Sequence, residues 1–325
     1  MFIIRAILCI SVYFWICSAI EARILCVDAN TTVTQHDGSC WDYPFKHLQD
    51  ALDGAALDTE VKEIWVAKGI YRPTKTYAPS NEQRRPIMGG ALSLKQYNPG
   101  ITFTQQLVHY ENNKEKYQRL LKTFSLVDGI DIYGGFKGNE QSRAERTDNF
   151  RQYQTILEGH FGDYAVWHVV SAGNDLTRKG INVTLDRLVI RHGNACNGPY
   201  FPRHFPLNPS QIPIYYHDDG GGLYIFIQSK ITLNHIIFEN NQAIAGGAIY
   251  VQDGSVLNLN QCEFRHNEAQ NGAAINIRHG GPSELMPRAN RVTTVNMRAC
   301  KFVHNTSQRG RAVFTNDNQQ TFHHP

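Results

Sequence analysis

The sequence predicts an all-β chain wound as a parallel β-helix, and three observations carry that prediction. The first is repetition. Val183–Ala195, Ile231–Tyr250, Leu257–Ile275 and Val295–Val313 are copies of one pattern, in register when aligned on Ile190, Phe238, Phe264 and Phe302. The second is the spacing within each copy. Val183, Ile231, Leu257 and Val295 stand seven residues before the anchor; Leu185, Leu233, Leu259 and Met297 stand five before; Leu188, Ile236, Cys262 and Cys300 stand two before. Apolar residues two apart, a break, then two apart again describe two short strands meeting at a corner, and no 3.6-residue helical period is present. The third is a recurring turn chemistry. Asn241, Asn267 and Asn305 follow the anchor by three residues, with Gly193 in the first, more degenerate copy.

A repeat built only of short strands and turns buries its inner face by stacking on its neighbours, as solenoids do. Coils so stacked lie about 4.8 Å apart, which lets one asparagine per coil form an amide ladder at a corner. Asn and Gly also take left-handed backbone conformations readily, so the Asn corner is expected to be left-handed. Gly222, Gly247 and Gly272 are spaced by 25 residues and Gly310 follows after 38, which suggests a 25-residue period with a loop, Gly280–Asn290, inserted in the last interval.

The F-x-x-N segments Phe238–Asn241, Phe264–Asn267 and Phe302–Asn305, with Gly246-Gly247-Ala248-Ile249, resemble the repeat of the polymorphic outer membrane proteins of chlamydiae and related secreted β-helix proteins. Asn271–Ile275 and Arg309–Val313 are looser versions of the second motif. The resemblance implies a right-handed, pectin lyase-like solenoid at a cell surface, and names no chemistry.

In chain order, Met1–Ala22 has one early charge and an apolar run, the pattern of a signal peptide. Residues 23–325 are expected to form one β-helix domain. Within it, 23–74 resemble the N-terminal cap of secreted bacterial β-helix proteins, with a strand, a helix placing Phe45, Leu48, Leu52 and Ala55 on one face, and a strand through Ile64, Val66 and Tyr71. Such a cap covers the unpaired backbone at the open end of a solenoid. An insertion at 75–122 and a loop at 196–218 interrupt residues 123–325, and insertions of this kind are where binding function concentrates.

Composition narrows the function. A formal net charge of +3 with scattered basic residues gives no case for nucleic acid, and no cofactor motif is present. Because β-helices include polysaccharide lyases and glycosidases, Asp218, Asp219 and Arg191 are the catalytic alternative, with Asp186, Arg187 and His192 near in the repeat frame. Asp218-Asp219 before three glycines equally suits a loop closing on its own backbone. His192, Asn240, His266 and His304 form a corner column in which two histidines on adjacent coils could share a metal ion, although two imidazoles make a poor site. Cys26 and Cys40 are a candidate bridge, whereas Cys262 and Cys300 read as small apolar core residues. The leading expectation is a secreted or surface, non-catalytic, adhesin-like protein that presents loops to a host surface protein or polysaccharide. The rivals are an enzyme acting on acidic polysaccharide and a self-assembling structural solenoid.

Overall fold

A computed structural model describes residues 22–75, 114–147, 149–173, 180–196, 219–226, 228–279, 292–308, 312–315 and 322–323. Residues 1–21 of the expected signal peptide, most of the 75–122 insertion, residues 197–218 of the second loop with Asp218, the 280–290 loop and Gly310 lie outside the described residues.

The described residues form a parallel β-helix. The longest sheet joins Arg23–Val27, Val61–Ala67, Asp131–Phe136, Asn182–Asp186, Lys230–Asn234, Val256–Asn260, Thr294–Arg298 and Phe322–His323, in that order. A second sheet stacks Gly69–Tyr71, Thr155–Glu158, Leu188–Arg191, Ile237–Glu239, Glu263–Arg265 and Lys301–Val303. A third stacks Phe124–Ser125, Val170–Ala172, Leu223–Ile225, Ile249–Gln252, Ile275–Arg278 and Val313–Thr315. Every pairing between these strands is parallel, because each partner is the equivalent strand one coil away.

Register carries the apolar pattern into the core. Val183, Ile231, Leu257 and Val295 are paired neighbours, as are Leu185, Leu233, Leu259 and Met297, and all of them are buried. Ile190, Phe238, Phe264 and Phe302 form the facing column. The Phe238 and Phe264 rings stack with centroids 5.2 Å apart, and Phe264 and Phe302 with centroids 5.0 Å apart, so each ring buries its face against the next.

Two details of the repeat differ from the sequence expectation. The left-handed corner residues are His192, Asn240, His266 and His304, at φ 58°, 53°, 53° and 51°, one position before the asparagines expected there. A second left-handed corner, at Arg187, His235, Gln261 and Ala299, separates the long sheet from the second. The coil period is also 26 rather than 25, as the pairs Leu223 with Ile249 and Ile249 with Ile275 show. Gly220, Gly246 and Gly272 are thus the equivalent glycines, at φ 68°, 66° and 60°. In the GGAI motif Gly246 supplies the left-handed turn, and Gly247 lies so close to the next coil that a Cβ would meet the Ala273 and Glu268 carbonyl oxygens.

At the N-terminal end, the helix Leu48–Leu57 buries Leu48, Ala51, Leu52 and Ala55 over the first coil. Phe45 is not on that helix. Before the helix begins, Phe45 bridges Val27, its N–H donating to the Cys26 carbonyl at 2.9 Å. The strand expected through Tyr71 is likewise two strands, which turn a corner at Lys68 to serve different sheets.

Candidate functional site

The outward side chains of the solenoid form ladders of their own. On the second sheet Glu158, Arg191, Glu239 and Arg265 are paired neighbours of alternating sign. Arg191 Nε donates to Glu158 at 2.8 Å. Arg265 Nε lies 3.0 Å from Glu239 Oε1, an ion pair whose N–H is not aimed along a hydrogen-bond line. Arg151 reaches across to Glu263 in the same array.

Two tighter groups flank this ladder at its corners. In the first, the Glu158 carboxylate accepts hydrogen bonds from Arg191, from His192 Nδ1 at 2.8 Å and from the His160 backbone N–H at 2.9 Å. Burial pushes this carboxyl up, but the hydrogen bonds outweigh it and hold the group below the usual carboxylate range. In the second, Asp186 accepts from Arg146 at 2.8 Å and from His235 Nδ1 at 3.1 Å. Arg146 is itself nearly enclosed: it donates to the Gly134 carbonyl at 2.9 Å, and its guanidinium sits 5.1 Å from the Phe136 ring centre. Burial lowers its pKa while Asp186 opposes the shift. Both histidines are half-exposed residues at left-handed corners.

These groups combine residues that sequence reasoning singled out (Asp186, Arg191, His192) with three that it missed (Glu158, Arg146, His235). One signal was available for Glu158: aligning Ile156-Leu157-Glu158 with Val189-Ile190-Arg191 puts the acid beside the base. The expected catalytic set is not brought together among the described residues. Arg191 is engaged by Glu158 on the second sheet, whereas Asp219 is buried at a bridge to Ala245 that leads into the third.

The long sheet presents a neutral array. Asn258 Nδ2 donates to Thr232 at 3.4 Å, Asn296 Nδ2 to Asn258 at 2.9 Å, and Asn260 Nδ2 to Asn234 at 2.8 Å. Inside the Asn corner a second amide ladder is fully buried at Asn241 and Asn267 and reaches Asn305. The His266 and His304 rings stack at 5.3 Å, and no group of three or more His, Cys, Asp or Glu residues able to hold a metal occurs among the described residues. Cys26 stands as a buried thiol pushed up to about 12 by burial and by nearby Cys40. No helix among the described residues is long and apolar enough to cross a membrane.

Residues 235–252 match the family model of the Chlamydia polymorphic membrane protein (Chlamydia_PMP) repeat. The matched stretch runs from the His235 corner through Phe238, Asn241 and Gly246 to Gln252, the end of a third-sheet strand. Comparison with the curated proteins and with the solved structures found no match.

Proposed function

We propose, from the polymorphic membrane protein repeat that the chain carries, that it is an outer-surface β-helix protein, secreted or displayed, that adheres without catalysis to a host surface protein or polysaccharide. The observation that carries this reading is the repeat match at residues 235–252, which falls on a coil of a rigid solenoid. Two features agree with it. The outward charges of the second sheet are engaged with one another, and the long sheet offers a regular row of amides and hydroxyls suited to contacting an extended ligand. A glycosidase needs two carboxyl groups free to act across one bond. Here Glu158 and Asp186 are each tied to a guanidinium.

The test is a binding screen of residues 23–325 against host surface proteins and glycans, with turnover of acidic polysaccharide assayed in parallel. Saturable binding that weakens when Asn258 and Asn296 are replaced by alanine, with no turnover, supports adhesion. Turnover abolished by Asp219→Ala would transfer the function to the lyase or glycosidase class.

A further inference from the structure

The inward column Leu188, Ile236, Cys262, Cys300 ends in two thiols on successive coils. Their backbones are in register on both sides, since Asn260 pairs with Arg298 before them and Glu263 with Lys301 after them. The Lys301 N–H also donates to the Cys262 carbonyl at 2.9 Å, so the coils touch at the cysteines themselves. Parallel neighbours in register lie about 4.8 Å apart, within the Cα separation of about 4.4–6.8 Å that a disulfide requires. The side chains point the same way. Cys262 Sγ is 3.4 Å from the Leu233 carbonyl and Cys300 Sγ is 3.6 Å from the Leu259 carbonyl, the equivalent oxygen one coil on.

The two thiols are unequal. Cys262 is fully buried and Cys300 half-buried, so a reagent in solution reaches Cys300 first. The neighbouring Cys262 thiol holds the Cys300 thiol below its ordinary range, which favours Cys300 as the nucleophile of the pair.

We propose that Cys262 and Cys300 are a site of disulfide formation that staples two adjacent coils, charged by exchange with a small-molecule disulfide of the glutathione type. The Cys300 thiolate attacks one sulfur of the reagent, whose S–S bond breaks, leaving a mixed disulfide on Cys300 and releasing one reagent thiolate. Cys262 then gives up its proton to solvent and attacks Cys300 Sγ, expelling the second reagent thiolate. Two protein thiols are oxidised to one disulfide, and one reagent disulfide is reduced to two thiols. The bond spans the interval that holds the inserted 280–290 loop.

The experiment uses the whole chain after reduction. It is exposed to glutathione disulfide at about pH 8, the remaining thiols are alkylated after unfolding, and the digest is mapped by mass. The expected product is a cross-linked peptide containing Cys262 and Cys300, lighter by two hydrogens, formed with Cys9, Cys17, Cys26, Cys40 and Cys196 assigned separately. Amide exchange at Lys301–Val303 is expected to slow by about tenfold or more in the cross-linked form. A stable glutathione adduct on Cys300, alkylation of both cysteines, or a link from either to another cysteine would overturn the proposal. Mapping of the unmutated chain decides the matter even if Cys300→Ser fails to fold.

Discussion

Asn267 Oδ1 accepts two hydrogen bonds from Asn241, one from its backbone N–H and one from its side-chain amide, both at 3.1 Å. Asn267 Nδ2 in turn donates to Asn305 Oδ1 at 2.9 Å and to the Phe238 carbonyl at 3.0 Å. One buried side chain thus satisfies groups on the two coils that flank its own. Asn267→Ala would strand several of them, at about 1–3 kcal/mol for each that water cannot reach. A loss of about 3–5 kcal/mol in urea unfolding is expected. Asn305→Ala should cost less, because Asn305 is only half-buried. Equal losses would show that the ladder does not act as a connected unit.

Phe264 is stacked on both faces and has no exposed surface, whereas Phe302 is stacked by Phe264 and is half-buried. Phe264→Ala should therefore cost about 3–5 kcal/mol as a cavity in the core, and Phe302→Ala less than about 2 kcal/mol. Thermal or chemical unfolding of the two variants checks the order.

The Arg146–Asp186 pair is enclosed, with side chains 7% and 10% exposed. Removing one partner leaves a charge without its counter-ion, so Arg146→Ala should cost about 3–5 kcal/mol, and far less when combined with Asp186→Leu. A double-mutant cycle on stability measures the coupling. Additive losses would mean that the pair is not a unit.

His168 is buried with Nδ1 2.9 Å from the Gly220 carbonyl and its ring 5.0 Å from that of Tyr224. Burial lowers its pKa from 6.5 to about 4. The folded state therefore binds fewer protons than the unfolded chain between those values, so stability rises with pH across the window and is lost as pH falls from 6.5 toward 4. The amount is about 3 kcal/mol. His168→Asn, which keeps a donor for Gly220, should flatten this part of the stability–pH profile. The Glu158 carboxylate, held below its usual range, should lose its contribution separately as the pH falls through the carboxylate region.

Much of the fold was legible because the inner surface of a solenoid repeats with its coils: one alignment of Ile190, Phe238, Phe264 and Phe302 places three apolar columns and the Asn ladder. The corners were less legible. His192, His266 and His304 occupy left-handed backbone beside a Gly or Asn that takes the same conformation more readily, so the repeated Asn drew the corner one position too far. The period slipped by one because two adjacent glycines do different jobs, and Gly247 was matched to Gly272 where Gly246 belongs. Phe45 shares the helical spacing of Leu48 and Leu52, yet it pairs with Val27 before the helix begins at Leu48. The Arg146–Asp186–His235 group was hidden for another reason: its members come from separate coils, 40 and 49 residues apart, and only Asp186 and His235 lie in the aligned repeats.

The pairing between Val256–Asn260 and Thr294–Arg298 holds a constant offset of 38 residues, against 26 between Lys230–Asn234 and Val256–Asn260. The twelve additional residues are admitted at one turn without displacing a single rung. A lineage carrying such a chain is free to lengthen or rewrite what it shows at that turn while the interior goes on counting in the same steps. The length of that turn and the regularity of the core are then separate properties of one molecule.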